Sequence, residues 1–302
     1  MPEGAHGYSI PGRVESQTML AELKELWRFR ELLVSLIERE LKIRYKNSYL
    51  GFMWSLLNPL ITVGVMTVVF KYLLDNGTGS LSVYILAAYL PFMFFQLALM
   101  DSAQSVIVGL PLIKKIYFPR EILPLATICA NFIHLLLALL VFFAYLLVVW
   151  IRHPQVPPFT ATIVYLPILL VINFALATGL GLIISALNTF YEDVKYMVGV
   201  ALYLLFFLSP IMYFSEQVAA SSAAKANPWV YGLYHLNPVA MLATAYRKVL
   251  VAPQEVVVNG VKHDPLPLDW GMLGVTALIS LIALVGGYHL FNRMKWRFVE
   301  RP

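Results

Sequence analysis

The chain has 302 residues, of which 60% are hydrophobic and only 13% charged, and its mean hydropathy is +0.73. An ordinary soluble domain is excluded, because a core of that size would lack the polar residues needed to cover it. The net charge of +5 fits a chain lying beside an anionic inner membrane leaflet better than one bound to nucleic acid.

Residues 1–17 contain Gly, Pro and Ser and read as a disordered leader. Residues 18–48 read as an amphipathic interface helix: Leu33, Leu36, Ile37, Leu41 and Tyr45 recur at spacings of three or four, opposite Glu38, Arg39, Lys42 and Lys46. Such a helix lies along the inner membrane surface, either as an anchor for the first span or as a docking surface for a cytoplasmic partner. The first apolar run starts only near residue 49, too late for a cleavable signal peptide, so the N-terminus is expected to stay in the cytoplasm.

Residues 49–291 are expected to form a domain of six transmembrane helices. The apolar runs fall at 49–70, 84–100, 122–151, 163–187, 197–214 and 270–291, close to the roughly 20 residues that cross a bilayer as helix. Period-two alternation, the mark of a membrane barrel, is absent. With six crossings and an inside start, most of the 22 Lys and Arg residues fall on the cytoplasmic side, and both termini are cytoplasmic. Between the second and third runs, Pro111, Pro119 and Pro124 punctuate a short basic loop that is predicted to hold a turn or short helix. Residues 228–251 are apolar and aromatic but interrupted by Pro228, Gly232 and Pro238, which suits extracytoplasmic re-entrant helices covered by protein. Residues 252–269 read as an extracytoplasmic turn with a small hairpin at Asn259 and Gly260, and 292–302 as a basic cytoplasmic tail.

Catalytic chemistry has no footing. The chain holds neither a GxxxxGK[ST] phosphate loop nor HExxH, and its single cysteine permits no metal-binding pair. The histidines are scattered and read as packing residues, with His134 and Asn131 facing the bundle interior. The six runs carry no Asp, Glu, Lys or Arg at mid-span, so energy for transport would have to come from a partner.

The stretch LIERELKIRYKNSYLGFMWSLLNPL, followed by YFPREILPLA, LISALNTFYEDVKYMVGVALYLLFFLSPIMY, LNPVAMLATAYRKVLV and FNRMKWRFVERP, resembles the membrane subunit of type 2 ABC exporters for polysaccharides, which include O-antigen, capsule and teichoic-acid permeases. The resemblance implies an all-α integral membrane protein of the bacterial cytoplasmic membrane that works as a homodimer with two copies of a cytoplasmic nucleotide-binding ATPase. It implies no cofactor on this chain, with ATP and Mg in the partner, and a lipid-linked glycan as substrate. Partner coupling would fall to Glu38, Arg39, Lys114, Lys115, Tyr117, Arg120 and Glu121. The substrate path would run past Phe52, Trp54, Tyr203, Phe206 and Phe207, with Arg39, Lys42, Arg44 and Lys46 meeting the lipid pyrophosphate, and Pro228, Tyr231, Tyr234 and Pro238 at the exit gate. The alternatives are an ABC exporter of a small lipophile or drug, and a membrane scaffold or glycolipid enzyme.

Overall fold

The computed structural model describes residues 19–45, 53–69, 81–152, 160–227, 229–253, 256–258 and 261–300. The disordered leader expected at 1–17 lies outside them. The surface helix forms as two pieces, α1 (Met19–Arg28) and α2 (Arg30–Tyr45), where one helix over 18–48 is predicted. The division is an irregular turn, because Phe29 N–H still donates to the Glu25 carbonyl at 3.2 Å and Leu33 N–H to that of Phe29 at 3.0 Å.

Next come α3 (Met53–Val68), α4 (Leu81–Ile113) and α5 (Ile122–Arg152). A 3₁₀ turn at Ala161–Tyr165 leads into α6 (Leu166–Phe190), which starts with Pro167 in its first turn, where no N–H is needed. Then follow α7 (Val194–Leu208), two single turns, α8 (Ser215–Ala219) and α9 (Ser222–Ala226), and the short helices α10 (Trp229–His235) and α11 (Pro238–Leu250). Asn237 caps α11 by accepting from Val239 N–H, with Pro238 at the first helical position. The strands β1 (Val256–Val258) and β2 (Val261–His263) pair antiparallel with Val258 opposite Val261, and Asn259 and Gly260, where the sequence suggests the turn, lie outside the described residues. Finally α12 (Trp270–Met294), capped by Asp269 through Met272 N–H, runs into a 3₁₀ segment at Lys295–Glu300.

Among the described residues, four helices, α4, α5, α6 and α12, are long and apolar enough to cross a membrane. The helix α4 has 33 residues, or about 50 Å, well beyond a hydrocarbon layer of about 30 Å. It passes through Pro111, which the sequence assigns to the following loop. It also contains Asp101, one residue past the apolar run read at 84–100. Asn131 of α5 donates to Asp101 Oδ2 at 2.8 Å and to the Thr127 carbonyl at 3.0 Å.

The helix α4 is central, packed against α5, α6, α11, α3 and α7. Its Ser105 hydroxyl lies 3.3 Å from that of Ser185 on α6, and Asn188 of α6 donates to the Ala103 carbonyl at 2.7 Å. The pair α6 and α12 meets backbone to backbone. A Cβ on Gly287 would sit 2.1 Å from the Gly179 carbonyl oxygen, and one on Gly179 2.3 Å from the Ala283 carbonyl carbon. In a bilayer, where apolar side chains gain little by leaving lipid, small residues at a crossing supply the close packing that holds helices together.

Candidate functional site

Three groups of residues singled out by sequence come into view, beginning at the cytoplasmic end. Leu36 of α2 is buried in a cluster with Phe118, Ile122, Leu123 and Ala126, bordered by Leu26, Phe29, Leu33 and Ile37. The apolar face read from the sequence is therefore seated on the start of α5 rather than only on lipid. On the opposite face Lys42 bonds Glu38 at 3.1 Å and Arg39 bonds Glu40 at 2.9 Å. Both pairs are solvent-exposed, and such pairs contribute about 0–1 kcal/mol each. Arg39 also borders a cavity of about 280 Å³ reaching Asp101 and Gln104. Lys46 and the Arg44 side chain lie outside the described residues.

The basic turn at 114–121 separates its predicted coupling residues into two sets. Lys114 and Lys115 are exposed, and Tyr117, 74% exposed, lies with its hydroxyl 3.4 Å from Glu25 Oε1. Arg120 and Glu121 turn inward instead. Arg120 donates from Nη1 to the Lys295 carbonyl and lies 5.8 Å from the Trp296 ring centre. Glu121, 1% exposed, faces Lys295 Nζ at 3.5 Å. Burial lowers the Arg120 pKa from its ordinary value, with Tyr117 and Glu121 opposing the shift. From so high a starting value the guanidinium keeps its charge at physiological pH. Lys295 and Trp296, which this arrangement adds to the coupling region, had no local signal in the sequence. Their partners lie more than 170 residues away.

The second group is the face of α7. Tyr196, Met197, Val200, Tyr203, Leu204, Phe207 and Leu208 are all exposed, and Leu202 is the buried residue of this helix. Of the predicted path residues, Tyr203 at 64% exposure and Phe207 share this stripe, their rings 5.1 Å apart. Phe206 turns the other way and packs against Phe92 and Tyr89 of α4, with centroids 5.5 and 6.3 Å away. Trp54 is exposed on α3, and Phe52 lies outside the described residues.

The third group sits where α7 ends. The sixteen-residue α3 and fifteen-residue α7 are shorter than the spans expected at 49–70 and 197–214. In the latter case Ser209 and Pro210 stop the helix, and the apolar chain continues as irregular backbone to Phe214. Backbone of this kind at membrane depth needs partners for its carbonyls. Arg247 of α11 supplies them. Its side chain is 2% exposed, and its guanidinium donates to the carbonyls of Tyr213 at 2.7 Å, Tyr84 at 3.0 Å and Ile211, while lying 4.1 Å from the Tyr84 ring centre. Hydrogen bonds from a charged donor contribute roughly 1.5–3 kcal/mol each, so this one side chain ties α4, α11 and the 209–214 turn together. Beside it Lys248 bonds Glu216 at 3.3 Å and also the Leu266 and Pro267 carbonyls. Sequence reading passed over Arg247. Its only signal was a cation within an otherwise apolar, aromatic segment.

The predicted gate residues border the same region. The Tyr213 hydroxyl donates to the Phe207 carbonyl at 3.1 Å and accepts from the Tyr234 hydroxyl at 2.9 Å. Tyr231 stacks 4.4 Å from His235, whose Nδ1 bonds the Tyr231 carbonyl at 3.1 Å. Pro238 starts α11, and Pro228 lies outside the described residues. Phe207, predicted for the path, and Tyr234, predicted for the gate, are thus joined through Tyr213, whereas the α2 and 114–121 group forms a separate cluster.

The apolar helices α4, α5, α6 and α12 and a surface helix seated on a basic turn are the layout of a multi-pass membrane protein. The chain belongs to the ABC-2 type transporter family, whose pattern matches residues 31–251. It is similar to two O-antigen export system permease proteins RfbA, from Klebsiella pneumoniae (27% identical over 89% of this chain and 94% of that protein) and Myxococcus xanthus (28% over 93% and 99%). A further relative is the polysialic acid transport protein KpsM of Escherichia coli, 23% identical over 85% of this chain and 91% of that protein.

Proposed function

We propose that the chain is the transmembrane subunit of an ATP-driven exporter that moves a lipid-linked polysaccharide across the cytoplasmic membrane. The observation that carries this reading is the end-to-end likeness to relatives named for O-antigen export and polysialic acid transport. Two such subunits pair with two copies of a nucleotide-binding ATPase that holds ATP and Mg, and both termini face the cytoplasm. The helices α3 and α7 complete the six crossings, and α10 and α11 are the re-entrant pair. The α2 helix and the 114–121 turn receive the push of the ATPase. The turn's inward residues pass it to the end of α12, and α12 passes it to α6 through the glycine contact. The glycan travels along the exposed aromatic face of α7, where tyrosine and phenylalanine rings pack on sugar C–H surfaces, and leaves past α10.

The test is affinity purification of the protein in mild detergent from its own cells, together with deletion of its gene. The expected outcome is an ATPase copurifying in equal amounts and loss of a surface polysaccharide, with its lipid-linked precursor accumulating inside. Recovery of the chain without an ATPase, or an unchanged cell surface, would overturn the reading. Loss of resistance to a small lipophile with the polysaccharide intact would transfer it to the drug-export alternative.

A further inference from the structure

We propose that the Tyr213 hydroxyl is the releasable latch of the exit and that Arg247 is the positioning residue that holds the latch in register; this rests on reading α7 as the path and α10 as the gate. The two ends of Tyr213 are held very differently. Its carbonyl is fixed by the buried Arg247 guanidinium at 2.7 Å, and that guanidinium also binds the Tyr84 and Ile211 carbonyls. Phe214, the next residue, is buried with its ring 4.0 Å from that of Tyr84. The backbone of the turn therefore belongs to the body formed by α4 and α11.

The hydroxyl end has only neutral partners, the Tyr234 hydroxyl at 2.9 Å and the Phe207 carbonyl at 3.1 Å. The bond to Phe207 is exposed and that to Tyr234 only partly buried, so water can replace them when they break, and a neutral bond exchanged for one to water changes little in free energy. Phe207 stands in the last turn of α7 and Tyr234 in α10. One hydroxyl thus links the end of the path to the gate helix, and it can let go without disturbing the anchor. Tyr213 gives its one proton to the Phe207 carbonyl and accepts that of Tyr234, and either ring can leave this contact by a rotation about its side-chain bonds. A charged anchor with three carbonyl acceptors has no comparable exit. The arrangement separates a fixed hinge, Arg247 with the Tyr213 backbone, from a movable catch, the Tyr213 and Tyr234 side chains.

The experiment uses the full exporter with its ATPase in proteoliposomes loaded with a fluorescent trisaccharide. Tyr213→Phe keeps the ring and removes both bonds of the catch, and it should raise ATP-independent leak at least about fivefold, the factor expected for one neutral hydrogen bond. Tyr234→Phe removes one of those two bonds and should also leak, and the double variant should leak no more than Tyr213→Phe alone, because that variant already lacks the bond to Tyr234. A leak equal to the parent's in both single variants, or additive effects in the double, overturns the latch. Arg247→Lys keeps a charge but not three acceptors, and it should leak with the Tyr213 and Tyr234 rings intact; a silent Arg247→Lys removes its positioning role. The gate reading is tested apart, by joining Tyr213→Cys to Tyr234→Cys with a reducible thiol cross-linker in a Cys129→Ala background. Transport blocked by the cross-link and restored by reductant supports the gate whatever the phenylalanine variants do. Transport that survives it overturns the gate, and the latch with it.

Discussion

Buried charge in this protein is placed where backbone or a distant segment needs it. Glu121 and Lys295 meet at 3.5 Å with side chains 1% and 12% exposed, so neither has bulk water to fall back on when the other is removed. Glu121→Gln is expected to lower stability by about 1–2 kcal/mol, read as a lower unfolding temperature in detergent, and Lys295→Met by a similar amount. If the pair acts as a unit, the double variant will fall short of the sum by about 1 kcal/mol. A sum that is simply additive would show that the contact contributes nothing. Arg247 obeys the same logic with carbonyls as partners. Arg247→Met would strand the carbonyls of Tyr84, Ile211 and Tyr213 in a dry setting, at roughly 1–3 kcal/mol for each that finds no water, and little folded protein should be recovered from membranes.

Among the helices, the crossing of α6 and α12 offers a within-helix control. A methyl group on Gly287 would collide with the Gly179 carbonyl, while neighbouring Gly286 has nothing within 4 Å of the same position. Gly287→Ala should therefore cost roughly 1–3 kcal/mol by overpacking and impair assembly, and Gly286→Ala should be tolerated. Equal behaviour of the two would mean that the helices do not cross at this point. Because α12 runs directly into Lys295, the proposed route of coupling predicts that a loosened crossing uncouples ATP hydrolysis from transport before it lowers binding of the ATPase. Measuring hydrolysis and transport in the same preparation separates the two effects.

At the scale of the whole molecule, several helices present apolar faces that no other described residue covers. The stripe on α7 from Tyr196 to Leu208 is one, and Leu278, Leu281, Ile282 and Val285 on α12 form another. In lipid such faces are not a liability, and exposure alone does not say which meets a second copy. The aromatic content of the α7 face and its link to the gate favour that face as the one lining the space between copies. Val200→Cys is expected to cross-link between two copies in native membranes, and Ile282→Cys to remain monomeric on a denaturing gel. The reverse pattern would move the path away from α7.

Composition and local period account for everything the sequence determined by itself. Long charge-free runs specify helices in a bilayer whatever their neighbours, and the three-to-four spacing of Leu33, Leu36 and Ile37 specifies a one-sided helix. The order of these pieces was enough to place the chain in its family. Only the tertiary structure decided that Glu121 faces Lys295, that Phe206 turns away from Tyr203 and Phe207, and that Asp101 lies inside a helix rather than at its end. It also decided that Arg247 closes an irregular turn. Each of these depends on groups far apart in the chain, and in a uniformly apolar helix no periodicity marks the side that meets protein. Helix formation is dictated by local backbone bonding and the solvent, whereas the meeting of particular side chains is dictated by how the finished helices pack.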